Sequence, residues 1–277
     1  MRLFRSRGRN HAGQTTEFPL AKAMALFKAG RYAEAEAEAL VQAADPFRRS
    51  DNRIAPLALS LAAMATNAQG RYTEALAAYD SLLPVFGTTF GAEHWQTLKL
   101  RSDRAQTLTA LDRHAECAAE CEAVARAAAR GTDPQMPLIA AAARNGQVYA
   151  LNTQGRQLEA EQLAREALAD PPARDRLTLV LRLGLARSLN GQERYEEALA
   201  EAERAEELHR GMSEEQRGPE TGAVELSLAT ALLGLGRGAE ARSRASAAHD
   251  ACLAAFGQDH YRTVEARALL DRIADGA

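Results

Sequence analysis

The sequence predicts an all-α protein, an α-solenoid wound as a right-handed superhelix from six helical hairpins and closed by a C-terminal capping helix. Three observations predict it. The apolar content comes largely from Ala and Leu, one short signature returns six times along the chain, and apolar residues recur at three- and four-residue spacing before each return.

Composition sets the frame. Hydrophobic residues make up 46% of the 277 positions while aromatics make up only 5%, which favours strong helix formers packed through small side chains. With 34 Lys and Arg against 37 Asp and Glu, the formal charge of -3 gives no global pull toward nucleic acid or an anionic membrane. Nucleic acid is therefore not expected as a partner. No apolar run approaches the roughly 18 residues that a membrane span requires, and the basic first residues lack the apolar stretch of a secretory signal. A cytoplasmic location follows as the expectation. Residues 1–16, with Arg2, Arg5, Arg7 and Arg9, read as a basic disordered leader, contact with nucleic acid or anionic lipid being the alternative. Residues 17–277 read as one repeat domain. Cys117, Cys121 and Cys252 form no even framework, so reduced thiols are the default.

The signature is Gly30-Arg31-Tyr32-Ala33-Glu34-Ala35, then Gly70 to Ala75, Asp112 to Cys117, Gly155 to Ala160, Glu193 to Ala198 and Gly236 to Ala241. From Arg to Arg the intervals are 40, 42, 43, 38 and 43 residues. Gly, or a polar substitute, ends one helix by accepting the left-handed conformation, and Arg-Tyr-x-Glu-Ala opens the next. The small residue five positions after the first, Ala35, Ala75, Cys117, Ala160, Ala198 or Ala241, lets two helices approach closely. Each hairpin then keeps an apolar face that only a neighbouring hairpin can cover. First helices are expected near 17–29, 53–69, 94–111, 135–154, 175–191 and 220–235. Second helices are expected near 32–44, 72–85, 113–130, 157–169, 194–210 and 238–255, with a final helix near 260–273. The outer face of that last helix should be polar, through Glu265, Arg267, Asp271 and Arg272.

On these residues the chain resembles the tetratricopeptide repeat, whose first helix ends in Gly-x-Tyr-x-x-Ala, and in particular the long repeats of kinesin light chains and bacterial relatives. Phe90-Gly91-Ala92-Glu93-His94-Trp95-Gln96-Thr97 and Phe256-Gly257-Gln258-Asp259-His260-Tyr261-Arg262-Thr263 both match the Gly-x-(Asp/Glu)-His-x-x-Thr lead-in of those repeats. The sequence departs from the pattern where Gln157 and Gly238 replace the turn aromatic, so those two turns are expected to be the least rigid.

Little chemistry is visible. His114, Cys117 and Cys121 share one side of a helix, but zinc wants three or four ligands and no complementary pair stands elsewhere. Core positions for the cysteines are the favoured reading, and no metal, cofactor or catalytic residue is assigned. His94 and His260, in equivalent positions, are expected to cap or pack helix starts. Acidic runs on second helices, from Glu34 to Glu38 and from Glu196 to Glu207, read as solvated faces.

The resemblance implies that first helices line a concave groove. Aligned on the turns, that register offers Asn67 in the second repeat, Lys99 and Gln106 in the third, Asn145, Tyr149 and Asn152 in the fourth, and Arg187 and Asn190 in the fifth. Asn67, Asn152 and Asn190 share one position, where amide groups either hydrogen-bond an extended peptide or merely favour helix termination. Tyr149 and Arg187 are residue types favoured at binding hot spots. If the register forms a site, these side chains converge and stay accessible. The expected function is a non-enzymatic scaffold binding a protein or peptide segment. A sensor module acting with a separate DNA-binding partner and a self-assembling homo-oligomer are the alternatives.

Overall fold

The computed structural model describes residues 20–45, 53–169, 175–258 and 260–275; the basic leader lies outside them. Fourteen helices follow one another, with no strand among the described residues. They are α1 (Ala21–Lys28), α2 (Tyr32–Ala44), α3 (Ile54–Ala68), α4 (Tyr72–Thr89), α5 (Trp95–Ala110), α6 (His114–Arg130) and α7 (Met136–Thr153). The remainder are α8 (Gln157–Ala169), α9 (Asp175–Gly191), α10 (Tyr195–Gly211), α11 (Glu214–Arg217), α12 (Ala223–Gly234), α13 (Gly238–Phe256) and α14 (Tyr261–Asp275). All thirteen main helices expected from the repeat are there. The four-residue α11 is additional, formed by a capping box in which Ser213 and Gln216 satisfy each other's backbone. No helix among the described residues is long and apolar enough to cross a membrane.

The repeated turn forms as its sequence dictates. Gly30, Gly70, Gly155 and Gly236 have φ between 73° and 78°, and Asp112 and Glu193, at 57° and 61°, are the only other described non-glycine residues with positive φ. In each case the following Arg returns its N–H to a carbonyl five residues back, as Arg31 does to Leu26 at 3.0 Å and Arg113 to Leu108 at 2.9 Å. This is the Schellman closure of a helix C-terminus. The turn Arg then grips the Glu three residues on through two bonds, at 2.7 and 2.5 Å for Arg31 and Glu34 and at 2.7 Å each for Arg113 and Glu116. The same pair forms at Arg156–Glu159, Arg194–Glu197 and Arg237–Glu240. At these five turns one side chain thus fixes the start of the new helix, while Arg71 reaches Glu36. All six small residues after the turn, Ala35 to Ala241, are fully buried.

The chain groups into two compact units, residues 1–71 and 72–277. In the first, α2 packs on both α1 and α3, around Leu20, Ala23, Ala39, Ala58, Leu61 and Ala62. The Glu36 carboxylate joins α2 to the following turn by accepting from Thr66 at 3.2 Å, from Gln69 at 2.8 Å and from Arg71. Burial would raise that carboxyl, but these bonds outweigh it and hold it below the ordinary range.

In the second unit each helix from α4 to α10 packs on the next, and α5 with α7, α7 with α9, α9 with α12, and α12 with α14 pack as alternate layers. That is solenoid packing, each layer covering the apolar face of the last. Helix α4 runs four residues past its expected end. It passes through Pro84, and beyond it Phe86 is buried and packs in tilted geometry on Phe90, ring centres 5.2 Å apart. Glu161 repeats the part of Glu36, accepting from Gln192 and Arg194 at 2.7 Å and from Arg165 at 2.8 Å. Glu201 accepts from Arg182 at 2.7 Å and is also nearly buried. These acids correct the expectation that second helices present only solvated carboxylates.

Candidate partner-binding face

Two short motifs are structural. His94 Nδ1 accepts the N–H of Gln96 at 3.2 Å, and His260 Nδ1 accepts that of Arg262 at 3.3 Å, so each ring caps a helix. Each also stacks on the aromatic residue before it, Phe90 at 5.5 Å and Phe256 at 4.3 Å. The Thr three positions later closes the loop, Thr97 onto the carbonyl of Gly91 and Thr263 onto that of Gly257, both at 2.8 Å. Cys117 and Cys121 are buried free thiols with sulfurs 3.9 Å apart. Among the described residues no group of three or more His, Cys, Asp and Glu could hold a metal ion.

The Asn register separates under structure. Asn152 is nearly buried: its Nδ2 donates to the Gly184 carbonyl at 2.9 Å and its Oδ1 accepts from the Ser188 hydroxyl at 2.9 Å. This corrects the expectation of an accessible Asn152. The side chain is consumed in fastening α7 to α9, because a polar group at a helix–helix contact must find partners inside it. Asn190 is partly buried and its Oδ1 has no hydrogen-bond partner. Asn67 belongs to the first unit, near the end of α3, and its carbonyl accepts from Gly70 in the turn. The expected peptide-reading ladder therefore loses at least its middle rung to the fold.

Tyr149 and Arg187 do come together. The Arg187 guanidinium carbon lies 5.4 Å from the centre of the Tyr149 ring, the geometry of a cation–π contact. Arg187 also reaches Glu265 of α14 at 2.6 Å, and both side chains of that pair remain about 40% exposed (41% and 39%). One of the four residues expected on the polar face of the cap is thereby redirected: Arg267, Asp271 and Arg272 are exposed to solvent, but Glu265 faces Arg187. Burial raises the Tyr149 phenol above its ordinary value, against the lowering effect of Arg187. The ring stays neutral and can donate. On α5, Lys99 and Gln106 are exposed, with Lys99 bonded to Asp103 at 2.6 Å, and Asn145 of α7 is half-exposed.

Below the pair, α14 and α9 hold the segment before α12 between them. Glu220, itself buried, accepts from Arg176 of α9 at 2.9 Å and from Arg262 of α14 at 3.1 Å. Arg262 also donates to the carbonyl of Pro219 at 2.6 Å. Sequence reasoning missed this cluster. Its members carry no repeat signature, and Glu220 was expected to open a helix over 220–235, whereas it ends a short 3-10 turn and α12 starts at Ala223.

No protein-family model and no curated protein matches the chain. Among solved structures it is similar to a tetratricopeptide repeat protein from Parabacteroides merdae, with 17% identity and a TM-score of 0.47 over 95% of this chain and 100% of that one. It is also similar to the TPR2AB domain of yeast Sti1 in its complex with pHSP90, at 13% identity and a TM-score of 0.36 over 92% of this chain and 97% of that one. Both are likenesses of fold at low identity. The solenoid fold stated above rests on the chain's own turns and packing.

Proposed function

We propose that the chain is a non-enzymatic scaffold that binds a protein or peptide segment on the first-helix face of its second unit, centred on Tyr149 and Arg187. One observation supports it most: an aromatic ring and a guanidinium from two successive first helices meet at cation–π distance while staying partly open to solvent. Residues of these two types are enriched where binding energy concentrates, the ring supplying contact area and the guanidinium directed hydrogen bonds. Lys99, Gln106 and Asn145 extend the same register along α5 and α7, and Asn190 along α9. A cytoplasmic location accompanies this reading, in keeping with three free, buried cysteines.

The test compares three full-length proteins immobilised in native extract: the wild type, the double variant Tyr149→Ala with Arg187→Ala, and Leu158→Ala, which alters a residue 72% exposed on a second helix. The expected result is a bound protein retained by wild type and Leu158→Ala and lost by the double variant, with all three equally helical by circular dichroism at the temperature of the assay. Equal capture by all three, or loss only in Leu158→Ala, would place recognition on another surface.

A further inference from the structure

The joints of a solenoid can be compared one by one, since each repeat touches only its neighbours. Between the fourth and fifth hairpins, Asn152 bonds Gly184 and Ser188, and Glu161 receives Gln192 and Arg194. Between the fifth and sixth, four of the six counterparts have changed. Counted from the turn arginines, Leu199 stands for Glu161, Leu235 for Gln192, Ala231 for Ser188 and Ser227 for Gly184. Asn190 remains, but its Oδ1 and the Ser227 hydroxyl oxygen are buried without hydrogen-bond partners. A cleft lies at this joint on the second-helix side, with Leu199, Leu228 and Leu232 among its lining and Arg244 and Glu206 bonded at 2.6 Å on its rim.

What spans this joint on the other side is α14. Glu265 reaches back past α12 to Arg187 of α9, and Arg262 with Arg176 pins Glu220 between α14 and α9.

We infer that the joint between the fifth and sixth hairpins is the opening point of the second unit, and that α14 is the clasp that keeps it shut. Burying polar atoms without partners is costly, so the closed joint holds less than its neighbour and depends on the clasp. When Glu265 leaves Arg187, α12 to α14 swing away from α9 and α10. The opening is a property of the chain alone; where the reading of Tyr149 and Arg187 as a binding centre also holds, an occupant that takes Arg187 displaces Glu265 and opens the joint.

The chain carries its own reporters. Cys252 of α13 is fully buried, its sulfur 3.5 Å from the Thr221 carbonyl in the segment that Arg262 holds, and a Cβ on Gly222 would strike it. Cys117 and Cys121 are buried in the third hairpin and serve as internal controls. The experiment measures thiol labelling of each cysteine by mass spectrometry in full-length protein without any partner, for wild type, Glu265→Gln and Ala231→Ser. Glu265→Gln weakens the clasp, whereas Ala231→Ser returns the missing hydroxyl beside Asn190. Expected are several-fold faster labelling of Cys252 in Glu265→Gln and slower labelling in Ala231→Ser, with Cys117 and Cys121 unchanged in both. An unchanged Cys252 rate in either variant, or a parallel change at all three thiols, overturns the inference. Because no partner is present, that failure is separate from a failure of the extract experiment.

Discussion

Asn152 and Asn190 occupy the same register position, yet replacing them with Ala should have opposite weight. Asn152→Ala removes two buried hydrogen bonds, both 2.9 Å long. Neither former partner is stranded, because the Ser188 hydroxyl already lies 3.0 Å from the Gly184 carbonyl and can donate there instead. The cost is then two bonds at about 1 kcal/mol each, plus the packing of the lost amide, or about 2–3 kcal/mol in all. For a chain of this size that lowers the melting temperature by roughly 4–10 °C. Asn190→Ala instead deletes an oxygen that is buried without a partner. Relief of its desolvation offsets the lost contacts, and the net change should stay within about 0.5 kcal/mol. Urea unfolding followed by circular dichroism, run on both variants, decides it. Equal costs for the two, or a change at Asn152 within error, would refute the claim that hydrogen bonding rather than helix termination sets the value of this position.

The other predictions concern packing and pH. Ala75→Leu and Ala198→Leu, each at a fully buried small position, should destabilise by about 1–3 kcal/mol through overpacking, and an unchanged thermal midpoint would break the register assigned to the repeat. Burial, with a smaller contribution from Arg262, lowers the pKa of His260, and its neutral ring is what accepts the Arg262 N–H. Its contribution is therefore full above the ordinary histidine value of about 6.5 and is lost as pH falls through that value toward the lowered one. Thermal melts from pH 7.5 to 5 should show wild type losing more stability than His260→Gln; parallel losses would remove His260 from the account.

The fold was legible because its punctuation is local. A left-handed residue, an Arg gripping a Glu three positions on, and a small residue at the next contact are all decided within six positions of chain, so the sequence displays them directly. The lead-in histidines were legible for the same reason. Asn152 was misread because its partners, Gly184 and Ser188, lie more than thirty residues away, and a register position says nothing of what stands opposite. Had Ser188 and Ala231 been compared at their shared position, the difference between Asn152 and Asn190 would have been visible beforehand. The redirected Glu265 and the Arg176–Glu220–Arg262 cluster depend on how far α14 folds back, a tertiary distance that no periodicity encodes. Tyr149 and Arg187 were found because one repeat interval brings equivalent positions of adjacent first helices side by side.

The Arg–Glu pairs at the turns also determine how the molecule looks from a distance. At Arg31, Arg113, Arg156, Arg194 and Arg237 a positive charge is cancelled within one helical turn of its own chain, and the whole sequence sums to only -3. Such close doublets project fields that die away faster than single charges do, and at physiological ionic strength a Debye length of about 8 Å removes much of what remains. Little long-range attraction is left to draw a macromolecule in. Encounters with this surface should then proceed at unsteered association rates, on the order of 10⁵–10⁶ M⁻¹s⁻¹, and vary little with added salt. Discrimination between visitors falls to how long each one stays.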